Sequence, residues 1–222
     1  MVDLAPLIFD IEIKRAIQSK GEARVPGIEY CGGWGDHAGM GISVLCAYDM
    51  LEDRPRIFCD DNLKEFRVLA EQRLCVGYNS LAFDNKVLLG TIGWAPEHNH
   101  DLFLAITGAA FPGEKFNPSM HRGFGLNAMC EKNYGAGKSG DGAHAPLLYQ
   151  RGQMGELIDY CMTDVIRTKQ LFEGSLYGPL ERPDGGVPLK IPIPEGRWFE
   201  RYRAWREHNR VPLDQIMEVA SF

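Results

Sequence analysis

The first clear pattern in the sequence is the run P-L-I-F-D-I-E-I at residues 6–13. It is apolar except for two acids, which predicts a strand near the centre of a sheet. Further short apolar runs predict strands at 41–49, 56–59 and 75–79. Apolar residues that recur every three or four positions predict helices at 60–74, from 83 onward, and over 155–172.

The order of these elements predicts the fold class. Three strands are followed by a helix, a strand and a second helix, which indicates a mixed α/β sheet whose first three strands pair as neighbours. Residues 107–153 are rich in Gly, Pro and Asn, and we expect an irregular insertion near a functional site with one helical segment, G-L-N-A-M-C-E-K-N-Y. A Pro- and Gly-rich boundary after residue 178 predicts a domain at 1–177 and a C-terminal extension at 178–222.

The C-terminal extension contains a short strand-like segment, L-K-I-P-I-P, and a basic helix in which arginines alternate with aromatic residues. Arginine and aromatic side chains together suit single-stranded nucleic acid. Trp198, Tyr202 and Trp205, however, recur at helical spacing. This spacing favours a helix that packs one face on the domain or on a partner chain.

Composition and charge exclude several classes of protein. A chain of 222 residues, 45% of them hydrophobic, predicts one globular domain with a modest appendage. No apolar run approaches the roughly 20 residues of a membrane span, and the beginning M-V-D-L-A-P lacks the layout of a secretory signal. We therefore expect a cytoplasmic protein with no membrane partner. The six cysteines form no C-x-x-C pair and predict reduced thiols.

The two acids of the first strand predict a metal site. Side chains alternate between the faces of a strand, so Asp10 and Glu12 share one face while Phe9, Ile11 and Ile13 share the other. Two like charges 4 to 5 Å apart repel by roughly 4 kcal/mol at an effective dielectric constant near 20. A hard divalent cation such as Mg²⁺ or Mn²⁺ would reverse this repulsion. The alternative is a strand edge with two solvated acids.

Two later segments add further acids. Asp84 follows G-Y-N-S-L-A-F and lies in the first turn of a predicted helix, where it would also serve as a capping acid. In L-I-D-Y-C-M-T-D-V, Tyr160 and Asp164 are four residues apart and lie one above the other on a helix. Asp164 falls at the margin of the apolar stripe, where an ordinary boundary residue is the alternative interpretation.

The three segments together resemble the DEDD superfamily of 3′-to-5′ exonucleases. The D-x-E of the first strand, the N-x-x-x-F-D at a strand-to-helix turn and the Y-x-x-x-D on a late helix are similar to the DEDDy branch. The sister branch would place His five residues before the last Asp, where this chain has Asp159. One departure is Ile13, where the family usually has Thr. The resemblance implies a ribonuclease H-like mixed five-stranded sheet flanked by helices, whereas the helical extension at the C-terminus is peculiar to this chain.

The resemblance also implies a mechanism and a cofactor, two divalent metal ions, Mg²⁺ or Mn²⁺. Asp10, Glu12 and Asp164 would hold the first ion, and Asp10 would bridge to the second with support from Asp84. Tyr160 would orient the attacking water. The product would be nucleoside 5′-monophosphates. Because the net charge is −6, metal ions that bridge carboxylate and phosphate would let this acidic protein engage an acidic substrate.

We expect the partner to be a single-stranded 3′ end, with DNA favoured. RNA trimming, as in the ribonuclease D relatives, is the first alternative. A nucleic-acid-binding protein that kept the fold without catalysis is the second. The candidate contacts to nucleic acid are Asn79, Phe83, Arg122 and Lys138, for which core packing of Phe83 and solvated loops at the two basic residues are the alternatives. Lys138 lies in Y-G-A-G-K-S-G, which lacks the first Gly of a phosphate-binding loop.

Overall fold

The computed structural model describes residues 4–18, 21, 23–115, 117, 121–135, 142–194 and 196–208, with the backbone alone at 205–208. Its centre is a five-stranded sheet with the spatial order β3-β2-β1-β4-β5. The strands are β1 (Pro6–Ile13), β2 (Ile42–Asp49), β3 (Arg54–Phe58), β4 (Leu74–Gly77) and β5 (Asn99–Asp101).

The sheet is mixed, as the order of elements predicts. Strands β1, β2 and β3 pair antiparallel, with Asp10 opposite Cys46, whereas β1 pairs parallel with β4 and β4 with β5. The predicted fold class, a mixed five-stranded α/β sheet flanked by helices with a helical C-terminal part, is confirmed. Strand β5 escapes the apolar pattern because its three residues, N-H-D, are polar.

Helices cover both faces of the sheet. They are α1 (His37–Met40), α2 (Leu63–Ala70), α3 (Asp84–Ile92), α4 (Leu102–Ala110), α5 (Leu126–Tyr134), α6 (Ala145–Gln150), α7 (Met154–Tyr177) and α8 (Arg197–His208). Within the described residues, none of these helices combines the length and the apolar character needed to cross a membrane.

The segment 107–153 is more helical than expected. Besides the predicted α5, it contains the end of α4 and all of α6. Helix α6 begins with Ala145 and Pro146, both buried, because Pro is tolerated in the first turn of a helix and its ring can pack inward. The prediction of a single helical segment was therefore wrong.

The alternation along β1 divides the core into two clusters. Leu7, Phe9 and Ile11 pack with residues of α2 and α3. Ile8 belongs to the other cluster, together with Leu157, Cys161 and Val165 of α7. Because side chains alternate along a strand, the acids at positions 10 and 12 lie on the face that α7 covers.

The C-terminal segment packs on the cluster that contains α7. Trp198 and Phe199 are buried there, and Tyr202 stacks on Trp198 with ring centroids 4.7 Å apart. The strand-like segment forms a single antiparallel bridge between Leu180 and Leu189. The side chain of Trp205 lies outside the described residues. The division at residue 177 stays a prediction.

Candidate active site

The acids of β1 form the centre of the candidate site. Carboxylate oxygens of Asp10 and Glu12 and the Sγ of Cys161 all lie within 4.8 Å of one another. Glu12 is only 8% exposed. Among the residues that the structure describes, no hydrogen-bond donor meets its carboxylate. A buried charge without such a partner is costly, so the group is suited to a bound cation.

The turn between β4 and α3 is tightly packed. Gly77 ends β4, and a Cβ at this position would lie 2.6 Å from the Cβ of Ser80. Asn79 follows with a φ of +65°, in the left-handed region that Asn tolerates better than most residues. The carboxylate of Asp101 accepts hydrogen bonds of 3.0 Å from the backbone N–H groups of Asn79 and Leu81. Strand β5 thereby fixes the turn, and α3 begins directly after it.

Asp84, the first residue of α3, reaches β1 from the side of β4. The pairing between β1 and β4 ends at Ile8, and further along β1 the backbone N–H of Ile11 hydrogen-bonds to the Asp84 carboxylate. Asp84 is 5% exposed. Burial raises the pKa of its carboxyl to about 7, although backbone hydrogen bonds act in the opposite direction. A third buried acid therefore lies beside the two acids of β1.

Helix α7 brings the last group of predicted residues to the same face of β1. The Sγ of Cys161 lies 3.5 Å from the main-chain oxygen of Asp10 and 3.8 Å from its Oδ2. Tyr160, the residue before Cys161, is half-buried. Asp164 lies one turn further, with its side chain 18% exposed. The contact at Cys161 thus sets the position of Tyr160 and Asp164 relative to β1.

A guanidinium group lies at one edge of the acids. The Nη1 of Arg167 donates a hydrogen bond of 2.7 Å to the Oδ1 of Asn127 on α5 and lies 3.8 Å from the Oδ1 of Asp164. The Arg167 side chain is 11% exposed. Through Asn127, helix α5 therefore orients the positively charged guanidinium group of Arg167 toward Asp164.

The four acids interact electrostatically. Burial raises the pKa of Asp10 well above its ordinary value, and the charges of Asp84, Glu12 and Asp164 raise it further. The pKa of Glu12 is raised first by burial and then by Asp164 and Asp84. No Lys, Arg or His in the described ranges forms an ion pair with Asp10, Glu12 or Asp84. The structure thus brings the four predicted acids within electrostatic range of one another.

Three neighbours of the site were not identified from the sequence. Cys161 belongs to the apolar stripe of α7, where a thiol resembles any small core residue. Asp101 has the sequence context of a helix cap, and it does cap α4 through the N–H of Leu104, but it also holds the β4–α3 turn. Arg167 lies within the predicted helix. It follows Asp164 by three residues, and this helical spacing is the one sequence signal of their contact.

The predicted contacts to nucleic acid lie in different surroundings. Asn79 and the exposed Arg122 line an open cavity of about 390 Å³, together with the rings of Tyr78, Phe103 and His121. Phe83 is half-buried and packs against the cluster that contains α2 and α3. Lys138 lies outside the described residues.

Comparisons with known proteins yield a structural likeness. No protein-family model matches the chain, and no curated protein matches it in sequence. Among solved structures, a family B DNA polymerase from the hyperthermophilic archaeon Pyrobaculum calidifontis superposes with a TM-score of 0.54 and 18% identity. In fold, the chain resembles part of that polymerase. The match covers 84% of this chain and 26% of the polymerase chain. At this identity the likeness concerns the fold alone, and it supports the ribonuclease H-like α/β arrangement.

Proposed function

We propose that the protein is a metal-dependent 3′-to-5′ exonuclease of the DEDDy type that acts on single-stranded DNA ends. The observation that carries this proposal is the group of four acids on β1, α3 and α7, three of which are buried or nearly so without an ion-pair partner among the described residues. Such a group is expected where divalent cations bind phosphate. The likeness to a DNA polymerase agrees with a role on nucleic acid.

The donor atoms of this group fit two hard divalent cations. Asp10, Glu12 and Asp164 would hold one Mg²⁺ or Mn²⁺, and Asp10 together with Asp84 would hold the other. Carboxylate oxygens are the ligands that these cations prefer. When bound, such cations lower the pKa of water and stabilise the charge that develops on the leaving oxygen. The Cys161 thiol is a poor ligand for them, and its contact with Asp10 positions α7 instead.

The residues of the chain then have separate tasks. Tyr160 lies half-buried on α7, one turn before Asp164, and its hydroxyl would orient the attacking water at the terminal phosphodiester. The Arg167 guanidinium, held by Asn127, would keep the Asp164 carboxylate in one orientation. Asn79 and Arg122, at the cavity beside the β4–α3 turn, would bind the strand that leads to this point. The buried acids and the surrounding core would limit access of bulk water.

The test is hydrolysis of 5′-labelled oligonucleotides of matched DNA and RNA sequence, with Mg²⁺ or Mn²⁺ and with chelator. We expect stepwise shortening of single-stranded DNA from the 3′ end that requires the metal and is lost in Asp10→Ala. The matched control is Asp159→Ala, which removes an exposed acid of α7 and should leave the activity unchanged. Faster shortening of RNA would assign the ribonuclease activity instead. Binding without shortening under either metal would contradict catalysis and favour the nucleic-acid-binding alternative.

A further inference from the structure

Trp34 is an exposed aromatic side chain that contacts the start of α3. It is 70% exposed and lies in the segment G-G-W-G, just before α1. Its ring lies 6.3 Å from the ring of Phe83, at an interplanar angle of 63°. Phe83 immediately precedes Asp84, the acid that reaches β1 from α3. The indole therefore stands beside the element that supplies one of the four acids.

The turn that presents Trp34 is held in place by one carboxylate. Oδ2 of Asp36 accepts a hydrogen bond of 2.7 Å from the N–H of Gly32, and its Oδ1 accepts one of 2.9 Å from Gly39. The N–H of Asp36 donates to the main-chain oxygen of Gly33, whose φ is +115°. Glycine is needed there because other residues rarely adopt this backbone conformation. The indole is thus exposed by a well-ordered turn and not by a loose loop.

Helix α1 is packed closely on α3, which fixes the turn relative to the helix that supplies Asp84. A Cβ added at Gly90 would lie 2.8 Å from the Cα of Ala38, so the two backbones approach as far as glycine allows. The edge-to-face contact of Trp34 with Phe83 is of the kind that aromatic pairs prefer. It orients the indole and leaves the larger part of its surface in solvent. A ligand at this surface would find an aromatic platform that needs no rearrangement.

We propose that Trp34 binds an unpaired nucleobase of the substrate by stacking, while Phe83 supports the indole from its edge. Every base has a flat aromatic face, so this contact is independent of sequence but requires a base that is free of its duplex partner. It also suits a protein of net charge −6, which gains little from general attraction to phosphates. The inference rests on the proposed function, because the base would belong to the nucleic-acid strand whose 3′ end binds at the four acids.

The position of Trp34 favours nucleic acid over a protein partner or a second copy of the chain. A protein that covered the indole would also cover Phe83 at the start of α3, the helix that supplies Asp84. A base that stacks there instead extends the path of the substrate. Binding of an oligonucleotide to the wild type and to Trp34 variants distinguishes these occupants.

The experiment measures equilibrium binding of a labelled single-stranded DNA oligonucleotide in chelator, so that no hydrolysis occurs. Because one base–aromatic stack is lost, we expect Trp34→Ala to bind the oligonucleotide with a Kd about 5- to 150-fold higher than that of the wild type. Trp34→Phe should bind with a Kd close to that of the wild type. The same comparison on an oligonucleotide with abasic sites near its 3′ end should show little difference between wild type and Trp34→Ala. The control is Tyr177→Ala, which removes a half-exposed ring about 25 Å along α7 from Tyr160 and should not change binding.

The outcomes separate this inference from the proposed function. Shortening of DNA by a wild type whose binding is unaffected by Trp34→Ala would overturn the stacking role and leave the nuclease standing. Binding that depends on Trp34 without any shortening of DNA would overturn the nuclease activity and leave the stacking role standing. An equal loss of affinity on base-containing and abasic oligonucleotides would contradict stacking. A wild-type dimer in size-exclusion chromatography that Trp34→Ala converts to a monomer would assign the indole to a second copy and overturn the proposal.

Discussion

Replacement of Asp84 by Asn tests whether the acids destabilise the protein in the absence of metal. Asn has nearly the same shape, and its Oδ1 can still accept the backbone hydrogen bond from Ile11, but it carries no charge. In the folded, metal-free wild type, burial holds the pKa of Asp84 at about 7, whereas the ordinary value of 3.8 applies to the unfolded chain. Folding and proton binding at this residue are therefore linked.

The sign of the effect follows from the proton count. Between pH 3.8 and pH 7 the folded state keeps a proton that the unfolded chain has released, so the free energy of unfolding falls as the pH rises through this window. A difference of about 3 pKa units corresponds to a loss of about 4 kcal/mol that is complete above pH 7. For a chain of this size, such a loss lowers Tm by about 10 °C.

Thermal unfolding in chelator at pH 5 and pH 8 measures this linkage. We expect the Tm of the wild type to fall clearly between these values, that of Asp84→Asn to fall less, and the variant to be the more stable protein at pH 8. Added Mn²⁺ should raise the Tm at pH 8 more for the wild type than for the variant. Asp159→Asn, with the same change of charge at an exposed site, should follow the wild type. Equal pH dependence in the wild type and Asp84→Asn, or a less stable Asp84→Asn at pH 8, would refute the reasoning.

Two further predictions concern catalysis and the fold. Tyr160→Phe should slow hydrolysis by about 100-fold while the Kd for Mn²⁺ stays unchanged, and an unaltered rate would remove this hydroxyl from the mechanism. Arg73→Ala should lower the free energy of unfolding in urea by about 3 kcal/mol, because it removes a guanidinium that makes two hydrogen bonds of 3.2 Å to the fully buried Asp49. Arg67→Ala, which breaks an exposed pair with Glu71, should cost less than about 1 kcal/mol; equal costs for the two would contradict the importance of burial.

Local patterns predict much of the fold. The apolar runs locate four of the five strands, and the helical spacing locates α2, α3 and α7, because side chains that face a core must recur with the period of their own element. Strand β5 and the helices α1 and α6 were missed. The three residues of β5 are polar. They form a strand because they pair with the free edge of β4. Pairing of that kind is decided between distant segments and leaves no periodic signal in the short one.

The candidate site shows the same division. Alternation alone places Asp10 and Glu12 on one face of β1, and helical spacing alone aligns Tyr160 with Asp164. The contact between Cys161 and Asp10 joins two residues that are 151 positions apart in the sequence. Asp101, which holds the β4–α3 turn, is 22 positions from its partner Asn79. The contact of Trp34 with Phe83 likewise depends on the packing of α1 on α3.

The sequence by itself thus determined the strand and helix faces on which the acids lie, because the period of a strand or helix is a property of the local backbone. Only the tertiary structure decided that α3 and α7 bring Asp84 and Asp164 into electrostatic range of Asp10, and that Trp34 contacts Phe83. Distances between elements depend on how the side chains of both fill the space between them, and neither segment contains that information alone.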